Sequence, residues 1–279
     1  MKKFLTILFF LSALNSNAQR AMFGAQNNYA RPIAPFLAPT ITTNGLILNL
    51  DAANPASYPG SGSTWTNLAT GGNSLVPNFT INNLATYNSA SGSINLNSTS
   101  NSIYGVASTS NSFGLLSSFT IEMWVKVSSP PTSGGALFVE KIISNPVNMA
   151  LIYNWNGSDF GTNLYQFNAG FHYSGWKVIS TPNSISMNEV AGQWVHILAT
   201  FDGLTKTVNI YKNGVNIASG IVSASVTSSS NGGYFVGQSW GASGGVQFGD
   251  YSIINIYNRA LLSSEVTTNY NAVKLRFGL

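Results

Sequence analysis

Asn213-Gly214 stands between two short alternating runs, Lys206–Lys212 before it and Val215–Ala218 after it. Both central residues of a two-residue hairpin turn take positive φ, and Asn-Gly does so at little steric cost. The dipeptide therefore fixes two antiparallel strands against each other. The same texture runs from Asn44 onward, with short apolar or alternating segments broken by Gly, Asn, Ser and Pro. Those are strand and turn signals. Gly45–Leu50, Trp194–Phe201 and Tyr251–Tyr257 read as further strands. In Phe119–Val127, strand alternation puts Phe119, Ile121, Met123, Val125 and Val127 on one face, which is predicted to meet the core. One short helix is expected near the end, opened by Ser263-Ser264-Glu265, with Val266, Tyr270 and Val273 at helical spacing. About a dozen strands in roughly 235 residues and a single small helix predict an all-β, two-sheet antiparallel β-sandwich.

The first residues are set apart from that pattern. Met1-Lys2-Lys3 is basic, Phe4–Leu14 is apolar, and small residues lead to a cleavage point between Ala18 and Gln19. Residues 1–18 are expected to be a secretory signal peptide, too short in their apolar part to span a bilayer. The chain has no cysteine, so no lipid-anchoring thiol follows the signal. Residues 19–43, with Pro32, Pro35 and Pro39, read as an arm or linker, and residues 44–279 as the sandwich domain. The expected location is extracellular or at the cell surface, with no membrane span.

Charge excludes some partners. The formal +4 falls to +2 without Lys2 and Lys3, and no basic run interleaved with aromatics is present. Nucleic acid is therefore not an expected partner. Charged residues make up 7% of the chain, where about 25% is usual. The surface must be built from Ser, Thr, Asn and Gly, which suits neutral polyhydroxyl ligands.

Five segments in order carry a family resemblance. They are Ser118–Lys126, Gln193–Gly203, Val208–Gly214, Phe235–Gln238 and Ile254–Val266, with Leu50–Gly60 and Trp65 ahead of them. Together, over about residues 44–277, they resemble the laminin G-like, concanavalin A-like jelly-roll domain of secreted bacterial and phage-associated proteins. The resemblance implies a jelly-roll sandwich and a role in recognition or adhesion. One departure is visible. Similar domains carry Ser at the position of Leu262 and form a capping box with the following Glu, so the cap is expected to move to Ser263.

Chemistry was sought in three places. Gly237-Gln-Ser-Trp-Gly241 fits G-x-S-x-G, yet no helix follows until about residue 263, and His172 and His196 both precede Ser239. A nucleophile elbow needs strand, turn and helix, with the acid and the His after the Ser. The motif therefore reads as a turn. Laminarinase-like enzymes of this fold use Glu-x-Asp-x-x-Glu on one strand, whereas Glu122 has Trp124 at the Asp position and no second acid nearby. Glu122 is instead expected to pair with Lys126 or bond a neighbouring strand. Asp202, before Gly203, reads as a turn residue. Zinc has no ligand set. Calcium stays open, because oxygen-rich Asn154–Asp159 could supply carboxylate, amide and carbonyl ligands.

The candidate ligand-binding residues are aromatics and an acid in Gly/Asn-rich contexts: Trp155, Asp159, Tyr173, Trp176 and Trp240. Exposed aromatic faces stack on ligands while polar groups orient them. Trp124 and Trp194 lie in strand-like sequence and read as structural. The leading expectation is a secreted, non-catalytic module binding glycan or cell-surface polysaccharide. The alternative is a structural or adhesive protein–protein module of a surface assembly or virion, and a glycoside hydrolase is third.

Overall fold

A computed structural model describes residues 40–70, 78–82, 85–97, 103–106, 117–128, 135–142, 147–154, 168–172, 176–180, 191–222, 232–237 and 248–279. They belong to one compact unit, Ala38–Leu279. The strands are β1 (Leu46–Asp51), β2 (Thr64–Trp65), β3 (Phe79–Ile81), β4 (Thr86–Asn88), β5 (Ser93–Leu96), β6 (Ile103–Val106), β7 (Phe119–Val127) and β8 (Gly135–Ile142). They continue as β9 (Val147–Asn154), β10 (Asn168–His172), β11 (Trp176–Ser180), β12 (Val195–Asp202), β13 (Thr207–Lys212), β14 (Val215–Ile221), β15 (Gly232–Val236) and β16 (Gly249–Tyr257). A helix, α1 (Ser263–Val273), and a 3-10 turn, Lys274–Phe277, follow.

Two antiparallel sheets form the expected concanavalin A-like sandwich. The first runs β14-β13-β12-β7-β16-β5-β4, with β1 also on β16. β5 and β1 share one edge of β16, pairing Gly249–Tyr251 and Ile253–Tyr257 respectively. The second runs β11-β10-β9-β8-β15-β6-β3-β2. The β13–β14 hairpin forms as the Asn-Gly pair predicts, with Asn213 at φ 51° and Gly214 at φ 78°. Asp202 is the turn residue expected, its Oδ1 accepting from the Leu204 and Thr205 amides.

The core lies between the sheets. Phe119, Ile121, Met123, Val125 and Val127 enter it from β7, meeting Trp65, Phe79, Phe138 and Tyr234 from the second sheet. Each such side chain contributes about 1.5–3 kcal/mol when fully buried. A bulge at Ser252 in β16 resets the alternation, so that Tyr251 and Ile254 face the core while Ile253 turns outward.

The outer face of the first sheet is also buried, because α1 and the 3-10 turn lie across it. Val266 packs with Leu46, Leu198, Tyr211, Tyr257 and Leu261. Val273 packs with Trp124 and Ile253. The Trp124 ring stacks on Tyr270 at 5.8 Å and on Phe277 at 4.5 Å. Arg276 reaches past the helix to Asp51 at 2.8 Å and to Ser252 Oγ at 2.6 Å. Burial pushes the Asp51 carboxyl up, against the opposing pull of Arg276. Ile41 packs into the same roof, and the Thr42 amide donates to Asn269.

The helix cap departs from expectation. Leu262, not Ser263, is the N-cap residue. Leucine has no acceptor, so only the Glu265 half of a capping box forms, with the Leu262 amide donating to the Glu265 carboxylate at 2.9 Å. Ser263 is helical, and its hydroxyl meets Tyr211 instead. Arg259 makes two bonds to Glu265, at 2.5 and 2.7 Å. Those bonds hold the Glu265 carboxyl below its ordinary range, with burial opposing. The pair thus stabilises the fold above the ordinary carboxylate range, and this contribution fades as pH falls through the depressed one. Both side chains are about three-quarters screened, at 25% and 23% exposure, so its size is about 0.2–1 kcal/mol. Glu265→Gln is expected to flatten that part of the acid limb in thermal melts run from neutral to acid pH. An unchanged limb would show that the pair contributes nothing.

Candidate functional site

Three ionic clusters account for most described carboxylates. Glu122 on β7 is 1% exposed and does not pair with Lys126. Its Oε1 meets His196 Nε2 from β12 at 2.8 Å. Its Oε2 accepts from Asn269 of α1 at 2.8 Å, from Asn255 of β16 at 3.2 Å and from the Tyr257 hydroxyl at 3.4 Å. The correction to the Lys126 expectation has a steric cause. Once α1 roofs this face, Glu122 is sealed beneath it, while Lys126 lies at the strand end and pairs with Asp250 at 3.3 Å. A carboxylate only accepts, so the hydrogen on His196 lies on Nε2, and buried Nδ1 has no partner. Burial first, then the Glu122 charge, pushes the Tyr257 hydroxyl above its ordinary range.

This centre is closed to ligands. Asp51 is held by Arg276, Asp250 by Lys126, Glu265 by Arg259, and Asp202 by its turn. Among the described residues no group of three or more His, Asp or Glu could hold a metal.

The sequence-predicted ligand residues fall unevenly. Trp155, Asp159, Tyr173 and Trp240 lie outside the described residues, as does most of the calcium candidate Asn154–Asp159. Trp176 is not in a loop: it opens β11, its backbone paired with His172 across a hairpin. Trp124 is fully buried, as expected of a structural residue. Trp194 precedes β12, half-buried against Phe277 at 4.5 Å and with Lys126 5.7 Å from its ring centre.

A pair of aromatics not singled out from sequence occupies the outer face of the second sheet. On β6, Ile103 and Gly105 face inward, and on β15, Tyr234 and Val236 do so. Alternation then turns Tyr104 and Phe235 outward, where both are half-buried. They are direct cross-strand partners. Their ring centres are 6.5 Å apart with planes 29° from parallel. A Cβ on Gly233 would sit 3.0 Å from Phe235 Cε2. The Phe235 ring therefore lies flat over the bare backbone of Gly233, an aromatic filling the place of a missing side chain. Directly paired residues cannot stack one above the other while one ring touches the backbone. Tyr104 accordingly lies beside Phe235, and together they pave the sheet.

The paving rests on a firm base. On the inner face Tyr234 stacks with Phe79 and Phe138, each at 6.2 Å. Gly105 lets the Phe79 ring slide beneath β6, since a Cβ there would approach it to 2.9 Å. Outward, the row of paired residues continues from Tyr104 to Thr80 and Thr64, both exposed. The available sequence signal was Gly233-Tyr-Phe-Val236 against Ile103-Tyr-Gly-Val106, two alternating runs whose glycines fall on opposite faces.

The arrangement offers two aromatic faces, two hydroxyls and no described charge. A family model, Laminin_G_3, described as the Concanavalin A-like lectin/glucanases superfamily, matches residues 97–267. No curated protein sequence matches the chain. Among solved structures, domain 4 of AbnA, a GH43 extracellular arabinanase from Geobacillus stearothermophilus in complex with arabinotriose, is similar at 22% identity with a TM-score of 0.57. That match covers 81% of this chain and 98% of that one. Trypanosoma rangeli sialidase is similar at 16% identity with a TM-score of 0.60, covering 96% of this chain and 40% of that one. At these identities the likeness is one of fold.

Proposed function

This chain belongs to the concanavalin A-like lectin/glucanase superfamily, and from that premise we propose that it is an exported, non-catalytic module that recognises carbohydrate. The observation that carries this reading is the flat Tyr104–Phe235 pair on the face that no described element covers. Sugar rings present C–H faces that pack on aromatic faces, and their hydroxyls suit a few placed polar groups. An arabinanase domain crystallised with arabinotriose has the same fold, which is consistent with a sugar as ligand. The non-catalytic part rests on the carboxylates. A glycosidase needs two carboxyls flanking one bond, about 5–9.5 Å apart and free to act. The described ones are each committed to a cation, a turn or the sealed centre.

The test is a polysaccharide array probed with the chain from Gln19, in calcium and again in EDTA. Retention that drops at least tenfold in Tyr104→Ala/Phe235→Ala, with no release of reducing sugar, is the expected result. Absence of retention on every polysaccharide overturns the carbohydrate reading, and release of reducing ends overturns the non-catalytic one. Export is checked separately by finding a mature chain that starts at Gln19 outside the cell.

A further inference from the structure

We infer that the Tyr104–Phe235 face takes the interior of a linear polysaccharide lying across the strands, not a monosaccharide or a chain end. The inference rests on the carbohydrate reading above and adds the form of the ligand. Its basis is the direction in which the site extends. The pairing register carries one continuous row across the second sheet, through Thr64, Thr80, Tyr104, Phe235, Val139, Ala150, Gly170 and Val178. Eight strands at the usual spacing give that row a length of roughly 34 Å. The two rings lie side by side along it, so consecutive sugars of one chain meet consecutive rings.

What flanks the rings points the same way. A pocket for a chain end needs a wall across the row. On the side away from β15 the row runs to Thr80 and Thr64, small and exposed, and the sheet ends there at β2. A chain entering over β2 passes two hydroxyls that both donate and accept, then two aromatic faces. On the other side of Phe235 the positions are Val139, Ala150 and Gly170, a sequence of decreasing size. Contact is thus spread along the ligand, and each added sugar adds a similar increment until the row is spanned. Phe235 sets the height of the surface, because Gly233 lets its ring lie against the backbone. Gly233 is accordingly a positioning residue: any side chain there lifts the ring without removing it.

The experiment is affinity electrophoresis and calorimetry with linear arabinan, β-mannan and mixed-linkage glucan, each as polymer and as size-fractionated oligomers from the disaccharide upward. Wild type is compared with Phe235→Ala and Gly233→Val, with circular dichroism and melting temperature as folding controls. Affinity for the polymer that binds is expected to rise at least tenfold from disaccharide to long oligomer and to be indifferent to borohydride reduction of the ends. Both variants are expected to lose at least tenfold on the polymer with unchanged spectra. Equal affinity for short and long oligomers, or loss of binding on end reduction, overturns the inference while leaving carbohydrate recognition in place. Failure of wild type to bind any of the polymers and any array glycan overturns both. Binding by Gly233→Val equal to wild type would remove the flat ring from the account.

Discussion

Replacing Glu122 with alanine is expected to destabilise the fold by about 3–5 kcal/mol, the range for removing one partner of a buried ion pair. On a domain of this size that lowers the melting temperature by roughly 6–20 °C. The argument is an accounting of donors. The carboxylate satisfies His196 Nε2, Asn255 Nδ2 and Asn269 Nδ2, with the Tyr257 hydroxyl at longer range. All four partners are buried. Alanine leaves them without that acceptor, and an unmet buried donor costs about 1–3 kcal/mol. A cavity is left as well. Asn269 retains its bond to Tyr257 and its acceptance from Thr42, which keeps the total below the sum of the parts. Glu122→Gln keeps the volume and one acceptor oxygen but turns an amide toward donors on the other side, so about 1–3 kcal/mol is expected. The loss has a location. Asn269 ties α1 to β7, so amide exchange should rise first in residues 263–279, before the sheets open. Urea unfolding with hydrogen exchange reads both quantities. A Glu122→Ala protein within 1 kcal/mol of wild type, or one whose exchange rises uniformly, would show that the centre does not hold the roof down.

The contrast between β7 and Glu122 marks what the sequence discloses. Alternation in Phe119–Val127 identified five core residues because period two is a local property. Asn213-Gly214 identified a hairpin because turn chemistry is local too. Burial of the opposite face of β7 was not legible, since the element that buries it lies far along the chain: Asn269 is 147 positions from Glu122, and His196 is 74 away. β2, β3 and β4, at two to three residues, are shorter than any period can resolve. The aromatic face was missed for a related reason. Loop context drew attention to Trp155, Trp176 and Trp240, whereas Tyr104 and Phe235 are strand residues whose exposure depends on which sheet is roofed. The bound segment of Leu262 shows the reverse case, where a local rule predicted a cap at Ser263 and backbone geometry placed the boundary one residue earlier.

Gly237→Ala is expected to cost about 2–5 kcal/mol, combining left-handed strain of about 1–2 with overpacking of about 1–3. Ser239→Ala is expected to change neither stability nor ligand retention. The pair separates two readings of Gly237-Gln-Ser-Trp-Gly241. If the first glycine serves a turn, its requirement must come from backbone and packing, and it does. Gly237 ends β15 with φ +68°, and its amide donates to the Leu137 carbonyl at 2.9 Å. A Cβ would lie 2.4 Å from Leu96 Cδ1 and 2.9 Å from the Tyr251 hydroxyl. Both neighbours are fully buried, so neither gives way without disturbing the core where β5 and β16 meet. Burial also raises the Tyr251 hydroxyl above its ordinary range, so that group stays neutral and takes no part in proton transfer near neutral pH. Thermal melts of the two variants, with ester and glycoside hydrolysis assays alongside, decide the matter. A stable Gly237→Ala protein would remove the packing explanation for the glycine. Hydrolysis by wild type that disappears in Ser239→Ala would make the serine a nucleophile, and the chain an enzyme.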